Sequence, residues 1–252
     1  MASPIPSTLS YESASVIPLG LSTTACAFFQ DDHLALALPS PTTPKPISQI
    51  VLIWVGSTSV GCNAIQLAVA AGYEVITTCS PHNFDLVKKL GASQAFDYNK
   101  PTAVHDIIQA LNGKTTAGAL SIGAGGAEAC MDILDKSQGN KFISMATYPV
   151  LNPAPKQFAF LRIVVHFISW NVAMWVKGKT RGVGSKFILA STLVENGIGK
   201  AVYEDFLLRA LEEGVFVAAP EPIIVGMGLE KIQEAFEVQK KGVSAKKVVV
   251  SL

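Results

Sequence analysis

The sequence is short of charge. Asp, Glu, Lys and Arg make up 15% of its 252 residues, and the net charge is +1. No long basic run occurs, so nothing in the sequence points to nucleic acid or to an anionic membrane surface. Cysteine is scarce and scattered. Cys26, Cys62, Cys79 and Cys130 form no C-x-x-C and lie near no histidine pair, which argues against a zinc site and a disulfide framework and for a reducing compartment. The opening "MASPIPSTLSYESASV" lacks the basic and apolar regions of a secretory signal. One apolar run, "FAFLRIVVHFISWNVAMWV" at 158–176, approaches the length of a membrane span, but Arg162, His166 and Asn171 interrupt it. The expectation is a buried helix or the lining of an apolar pocket, in a soluble cytoplasmic protein.

What is abundant is core. Hydrophobic residues make up 49% of the chain, which excludes global disorder and fits one large domain or two modest ones. A helical patch over 10–37 leads into the Pro-rich linker "LPSPTTPKPISQ", and strands and helices then alternate. Strands are predicted at 50–55, 74–79, 94–97, 118–122 and 140–146, and helices at 60–71, 83–90, 101–111 and 126–136. That alternation is the mark of βαβ units on a parallel sheet. The span 150–195 reads as irregular and aromatic. Helices follow at 199–213 and 228–241, then the closing strand "KKVVVSL". The fold class expected is α/β: a doubly wound parallel (Rossmann) sheet with helical and strand extensions at both ends. Residues 1–44 form an N-terminal segment, 45–195 the dinucleotide-binding domain and 196–252 the C-terminal helices and strand.

The turn after the first strand is "GSTSVG". The fingerprint G-x-G-x-x-G asks for glycine at 56, 58 and 61; the chain has Gly56, Thr58 and Gly61. The first glycine permits the tight turn and the third permits close helix–strand packing, while the middle one lets the backbone approach a pyrophosphate. The hydroxyls of Ser57, Thr58 and Ser59 are expected to cover for the lost middle approach, with Val60 beside them at the start of the helix. The alternative is an ordinary βα turn that holds nothing.

The second strand says which dinucleotide. Sites for NAD place an acid about 20 residues beyond the glycines, at the end of that strand. Here "YEVITTC" runs into "SPHNFD" with no acid at its end: Glu74 is at the wrong end and Asp85 is inside the next helix. Ser80 and Asn83 offer neutral donors, and His82 and Lys88 add positive charge. NADP is therefore expected over NAD; the alternative for Ser80 and Asn83 is a simple helix cap.

"GSTSVG", "TTCSPHNFDLVKKLGA" and "FDYN" together resemble the medium-chain dehydrogenase/reductase superfamily. The resemblance is to its zinc-independent fungal branch of enoyl reductase-like proteins, which includes the trans-acting enoyl reductases of polyketide synthases. "GKAVYEDFLLRALEEG" and "GVSAKKVVVSL" extend the likeness over nearly the whole chain. The resemblance implies that Ser80, Pro81, His82 and Asn83 hold the 2′-phosphate of NADP and that Tyr98 contacts the adenosine. It also implies that Val243 and Ser244 close over the nicotinamide end, and "GLSTTA" nominates Thr23 as a catalytic hydrogen-bond donor at a helix start. Ser121 stands where the family often has aspartate, and the chain starts after most of the GroES-like domain with which family members normally begin. The implied chemistry is hydride transfer to an activated carbon–carbon double bond of a small apolar substrate, free or carrier-bound, with no metal. Phe158, Phe160, Trp170 and Trp175 are candidates to line an apolar pocket, and a homodimer is expected. A non-catalytic nucleotide-binding protein or a non-redox cyclase on the same fold is the alternative.

Overall fold

Two helices, α1 (Tyr11–Ala14) and α2 (Ile17–Phe29), precede the first strand, β1 (Ile47–Trp54). Pro18 sits in the first turn of α2, where an N–H has no intrahelical acceptor to lose. From β1 the chain alternates through α3 (Ser59–Ala70), β2 (Tyr73–Thr78), α4 (Phe84–Lys89), β3 (Gln94–Phe96), α5 (Ala103–Ala110) and β4 (Thr115–Ser121). Then come α6 (Gly126–Asp135), the two-residue β5 (Gln138–Gly139), β6 (Phe142–Met145), α7 (Ala159–Arg181) and β7 (Gly184–Phe187). A helical run follows: α8 (Ile198–Lys200), a π-helical stretch over Ala201–Phe206, and α9 (Leu207–Glu212). The chain ends with β8 (Pro222–Met227), α10 (Ile232–Lys241) and β9 (Lys247–Ser251). The structure is a computed structural model that describes residues 2–42, 44–151 and 157–252.

The main sheet runs β3-β2-β1-β4-β6-β7, with β5 also pairing β4, and every pairing is parallel. Parallel strands need crossover helices, and those helices cover both faces, so strands in the middle become apolar on both sides. β1 shows this at single-residue period. Ile50, Leu52 and Trp54 pack with Ile76, Ala119 and Ile143 on one face. Val51 and Ile53 pack with Val75 and Leu120 on the other. The second face also buries α2, α3 and, from the C-terminal run, Val202, Phe206, Leu207 and Ala210. Both ends of the chain thus converge on one face of the sheet, while α6 and part of α7 cover the other.

Several expectations are corrected. The span 150–195 is not irregular: residues 159–181 form a 23-residue helix, and residues 152–156 lie outside the described residues. Nor is that apolar run buried, since only Met174 and Gly178 of α7 are. Three strands, the two-residue β5 and β7 and β8, are not among the strands expected from the sequence. All three are short or half-exposed along their length, so none carries the continuous apolar run that marks β1. The helical patch read over 10–37 ends at Phe29, where Gln30 turns extended.

His33 couples α2 to the sheet. Ser144 on β6 donates its hydroxyl proton to the Ala27 carbonyl (3.1 Å), so it accepts from His33 Nδ1 at 3.0 Å. The His33 ring meets Phe142 edge-on, with centroids 6.3 Å apart. Burial holds the imidazole below its ordinary value, against the opposing pull of Asp32. A depressed folded-state value means that the unfolded chain takes up the proton first. The stability tied to neutral His33 is therefore present above about pH 6.5, the unfolded value, and lost as pH falls from there towards the folded value. The melting temperature is expected to fall between neutral pH and the onset of carboxylate titration, and His33→Asn to flatten that part of the profile. An unchanged slope in the variant would contradict this assignment.

Candidate nucleotide-binding site

The site begins where β1 ends. Val55 is in the left-handed region (φ 67°) and starts the turn. Its N–H bonds Thr78 Oγ1 (2.9 Å), and Gly56 N–H bonds the Thr78 carbonyl (2.8 Å), so the turn is tied to the end of β2. A Cβ on Gly56 would lie 2.1 Å from Thr77 Oγ1; one on Gly61 would lie 2.5 Å from the Val55 carbonyl oxygen and 2.6 Å from Gly56 Cα. Only glycine lets α3 approach this closely. Gly61 thus allows the close packing of α3 expected of the third glycine, while Gly56 leaves room for Thr77 of β2.

Thr58 behaves otherwise than expected. Its backbone (φ −77°, ψ 167°) is ordinary extended conformation that needs no glycine. It is the N-cap of α3: its hydroxyl accepts from Gly61 N–H at 3.1 Å and donates to the Val55 carbonyl at 3.0 Å. That hydroxyl is committed to the helix and is not a free phosphate donor. Ser57 is buried and accepts from Asn83 Nδ2 (3.3 Å), while Ser59 Oγ makes only a long bond, 3.5 Å, to the Val16 carbonyl. The groups left without a strong partner at this helix start are Ser59 Oγ and the N–H groups of Ser59 and Val60, which have no intrahelical acceptor.

The end of β2 and the C-terminal segment complete the site. Pro81–Asn83 form a single 3-10 turn after Ser80. Ser80 Oγ is 3.0 Å from the Tyr98 hydroxyl. Ser244 Oγ accepts from Asn83 Nδ2 (3.1 Å) and lies 2.9 Å from His82 Nε2. A single serine near the C-terminus thus holds two members of "SPHN", some 160 residues away. Ser57, Thr58, Ser59, Ser80, Asn83, Tyr98, Val243 and Ser244 all line one cleft of about 660 Å³. Its lining contains no carboxylate but includes Lys246 and Lys247.

Those two lysines are not among the residues nominated from the sequence. "GVSAKK" is singled out there only for Val243 and Ser244, although its lysines carry the charge that suits a phosphate. Lys246 pairs with Glu221. Lys247 donates to the Val16 carbonyl at 3.2 Å, and burial lowers its ammonium below the usual lysine value.

Other nominated residues are placed differently. Thr23 is not at a helix start. It lies in the middle of α2, its hydroxyl donates back to the Leu19 carbonyl (2.8 Å), and it does not line the cleft. Phe158 and Phe160 are exposed and stand apart from the cleft. Trp170 and Trp175 do share an apolar groove of about 670 Å³, but it lies between α7 and β7. Among the described residues no three His, Cys, Asp or Glu gather as a metal site. Burial also keeps the cysteines in the thiol form, pushing Cys62 up to about 12 and Cys79 up to about 11.

A parallel sheet whose six main strands run 3-2-1-4-5-6, with a glycine-cornered turn at the end of its first strand, defines a doubly wound nucleotide-binding fold. More narrowly, the chain belongs to the medium-chain dehydrogenase/reductase superfamily of oxidoreductases. Residues 59–139 match the family model described as zinc-binding dehydrogenase. The chain is 56% identical over 248 residues to dehydrogenase pigH of Monascus ruber, which covers 98% of this chain and 67% of that protein. It is 35% identical over 254 residues to trans-enoyl reductase himH of Aspergillus japonicus, covering 98% and 64%. In fold it is similar to the quinone oxidoreductase of Thermus thermophilus, solved also as a complex with NADPH: TM-score 0.63, 21% identity, 99% of this chain and 68% of that one. The chain thus spans about two thirds of the length of these relatives.

The cap assignment is directly testable. Thr58→Val keeps the shape and removes the hydroxyl, so it should destabilise the ligand-free protein by about 1 kcal/mol, the usual cost of a lost N-cap. Ser59→Ala should leave the melting temperature unchanged. Equal melting temperatures for Thr58→Val and its parent would show that the hydroxyl does not cap α3.

Proposed function

We propose that the chain is the nucleotide-binding part of an NADPH-dependent, zinc-independent reductase. Its substrate class is an activated carbon–carbon double bond, in an enoyl, enone or quinone-like molecule, free or carrier-bound. One observation carries the reading: the cleft at the ends of β1 and β2 is lined by hydroxyls, two amides and lysines, with no carboxylate. A carboxylate at the end of β2 would repel a 2′-phosphate; Ser80 offers a hydroxyl there instead, and Asn83 ties the turn to Ser57 and Ser244. Gly61, where a Cβ would strike the Val55 carbonyl oxygen and Gly56, lets α3 start directly on the turn, and this supports a pyrophosphate at the N–H groups of its first turn.

Each residue then has a role. Ser59 and the first-turn N–H groups of α3 receive the pyrophosphate, and Lys247 supplies charge beside it. Ser80, His82 and Asn83 hold the 2′-phosphate end, Tyr98 stacks at the adenosine, and Val243 and Ser244 cover the cleft from the C-terminal side. The reduced nicotinamide, when bound, supplies the hydride. The chain's own contribution is to hold and orient it and to exclude water. Thr23 takes no part in this binding, its hydroxyl being held by Leu19. The relatives named for trans-enoyl reductase and quinone oxidoreductase activity support the substrate class. The uncovered edge of β7, the last strand of the main sheet, supports a homodimer formed by edge pairing.

Calorimetric titration tests the cofactor. NADPH is expected to bind more tightly than NADH, and Ser80→Asp to flatten or reverse the preference. NADH binding more tightly to the unmodified protein would overturn the reading. Loss of NADPH absorbance in the presence of a panel of enones tests turnover. Binding without turnover would favour a non-catalytic nucleotide-binding protein.

A further inference from the structure

Helix α7 is the one helix among the described residues that is long and apolar enough to cross a membrane, with a mean hydropathy of 1.5, yet almost none of it is buried. Its body-facing side is fixed by Met174 and Gly178 and by Trp170, whose indole N–H donates to Glu128 at 2.6 Å. At 100° per residue, positions two before and two after Met174 point the opposite way. Those are Val172 and Val176. They continue at helical spacing into Ile168, Val165 and Leu161, and all five are exposed, by 46 to 59%. Trp175, 65% exposed, lies along the margin of the same stripe. A contiguous outward stripe of this kind needs a partner.

The charge around the stripe says which. Between Asp135 and Glu195 the sequence has eight Lys and Arg and no Asp or Glu. The whole chain carries twenty Lys and Arg and nineteen Asp and Glu, so the remainder is clearly acidic and the cations are concentrated here. They are spread through the segment, which is why no basic run marks them. Some are neutralised locally: Arg181 pairs with Asp132, Lys136 with Asp135 and Lys186 with Asp32. Arg162, Lys177 and Lys179 have no carboxylate partner among the described residues. Lys179 falls at the C-terminal end of the outward stripe, and Arg162 flanks it near the other end.

We infer that α7 is a peripheral docking helix for an anionic lipid surface. Its outward stripe sinks into the interface, and Arg162 and Lys179 meet acidic headgroups. Apolar residues with an exposed tryptophan on one face and unpaired cations at its borders are what an interfacial helix requires. A second copy of the chain is the poorer occupant. Packing α7 on α7 would set these cations against each other in a segment that has no carboxylate to offset them. Spanning is excluded by the body-facing side, which stays packed on α6 and β7. The inference is independent of the nucleotide site.

Vesicle sedimentation of the full chain tests it, with phosphatidylcholine alone and with phosphatidylcholine mixed with phosphatidylserine. The protein should sediment with the mixed vesicles at least tenfold more strongly than with the neutral ones, and high salt should release it. Val172→Glu with Val176→Glu should abolish sedimentation without changing NADPH titration. Because both valines are exposed, the melting temperature should hold. If that variant fails to fold, Arg162→Glu with Lys179→Glu should give the same loss. Absence of sedimentation, or equal sedimentation with both vesicle types, would overturn the proposal. So would a dimer that dissociates in these variants while the parent ignores vesicles, which would assign the stripe to a second copy.

Discussion

The close approach of helix α3 to the turn after β1 is the constraint on which the site depends. A methyl group at position 61 would collide with the Val55 carbonyl and the backbone of Gly56, and one at 56 with Thr77 on the neighbouring strand. With both absent, the start of α3 sits directly on the end of β1. The hydrogen bonds from Val55 and Gly56 to Thr78 then fix the end of β2 beside it. Everything that lines the cleft takes its place from this junction. Thr58 is positioned to cap, Ser57 is buried beneath Asn83, and Ser80 leaves β2 on the same side as the helix start. The third segment, 243–248, is brought in by β9 and secured through Ser244 and Lys247.

That assembly has an electrostatic consequence. Three parts of the chain that are distant in sequence contribute hydroxyls, two amides and two lysines, and none contributes a carboxylate to the lining. Lys247 gives up part of its hydration for a single carbonyl partner, which is why its ammonium is harder to keep charged than an exposed lysine. In the proposed reading a phosphate offsets that cost, so that ligand charge and lysine charge would stabilise one another. Glu74, the only acid on β2, is at the far end of that strand. There it is engaged by Lys114 at 3.1 Å and by Ser93 at 3.0 Å.

The two long apolar segments show how differently one composition can be used. β1 is apolar because helices cover both faces of a parallel sheet, and its second half is almost wholly withdrawn from water. α7 is longer and also strongly apolar, yet it leaves most of its side chains in solvent. Hydropathy measures what a segment would gain by leaving water; it does not say whether anything is there to receive it.

The sequence by itself determined the parallel α/β class, the order of its main units and the place of the glycine-cornered turn after β1. These follow from local rules: the period of apolar residues and the glycines at 56 and 61. Membership of the superfamily was legible in "SPHNFD" and "FDYN". Tertiary structure decided the rest. Thr58 looks like a phosphate donor in one dimension, but the Gly61 N–H lies within its reach only once the helix has formed. Thr23 lies beside plausible neighbours in sequence, yet in the folded chain its hydroxyl is claimed by its own helix. Ser244 and Lys247 join the site through a strand that closes from the other end of the chain, a contact with no local signature. The exposure of α7 was equally invisible. Periodicity fixes which side chains share a face, and only the packed molecule fixes which faces meet.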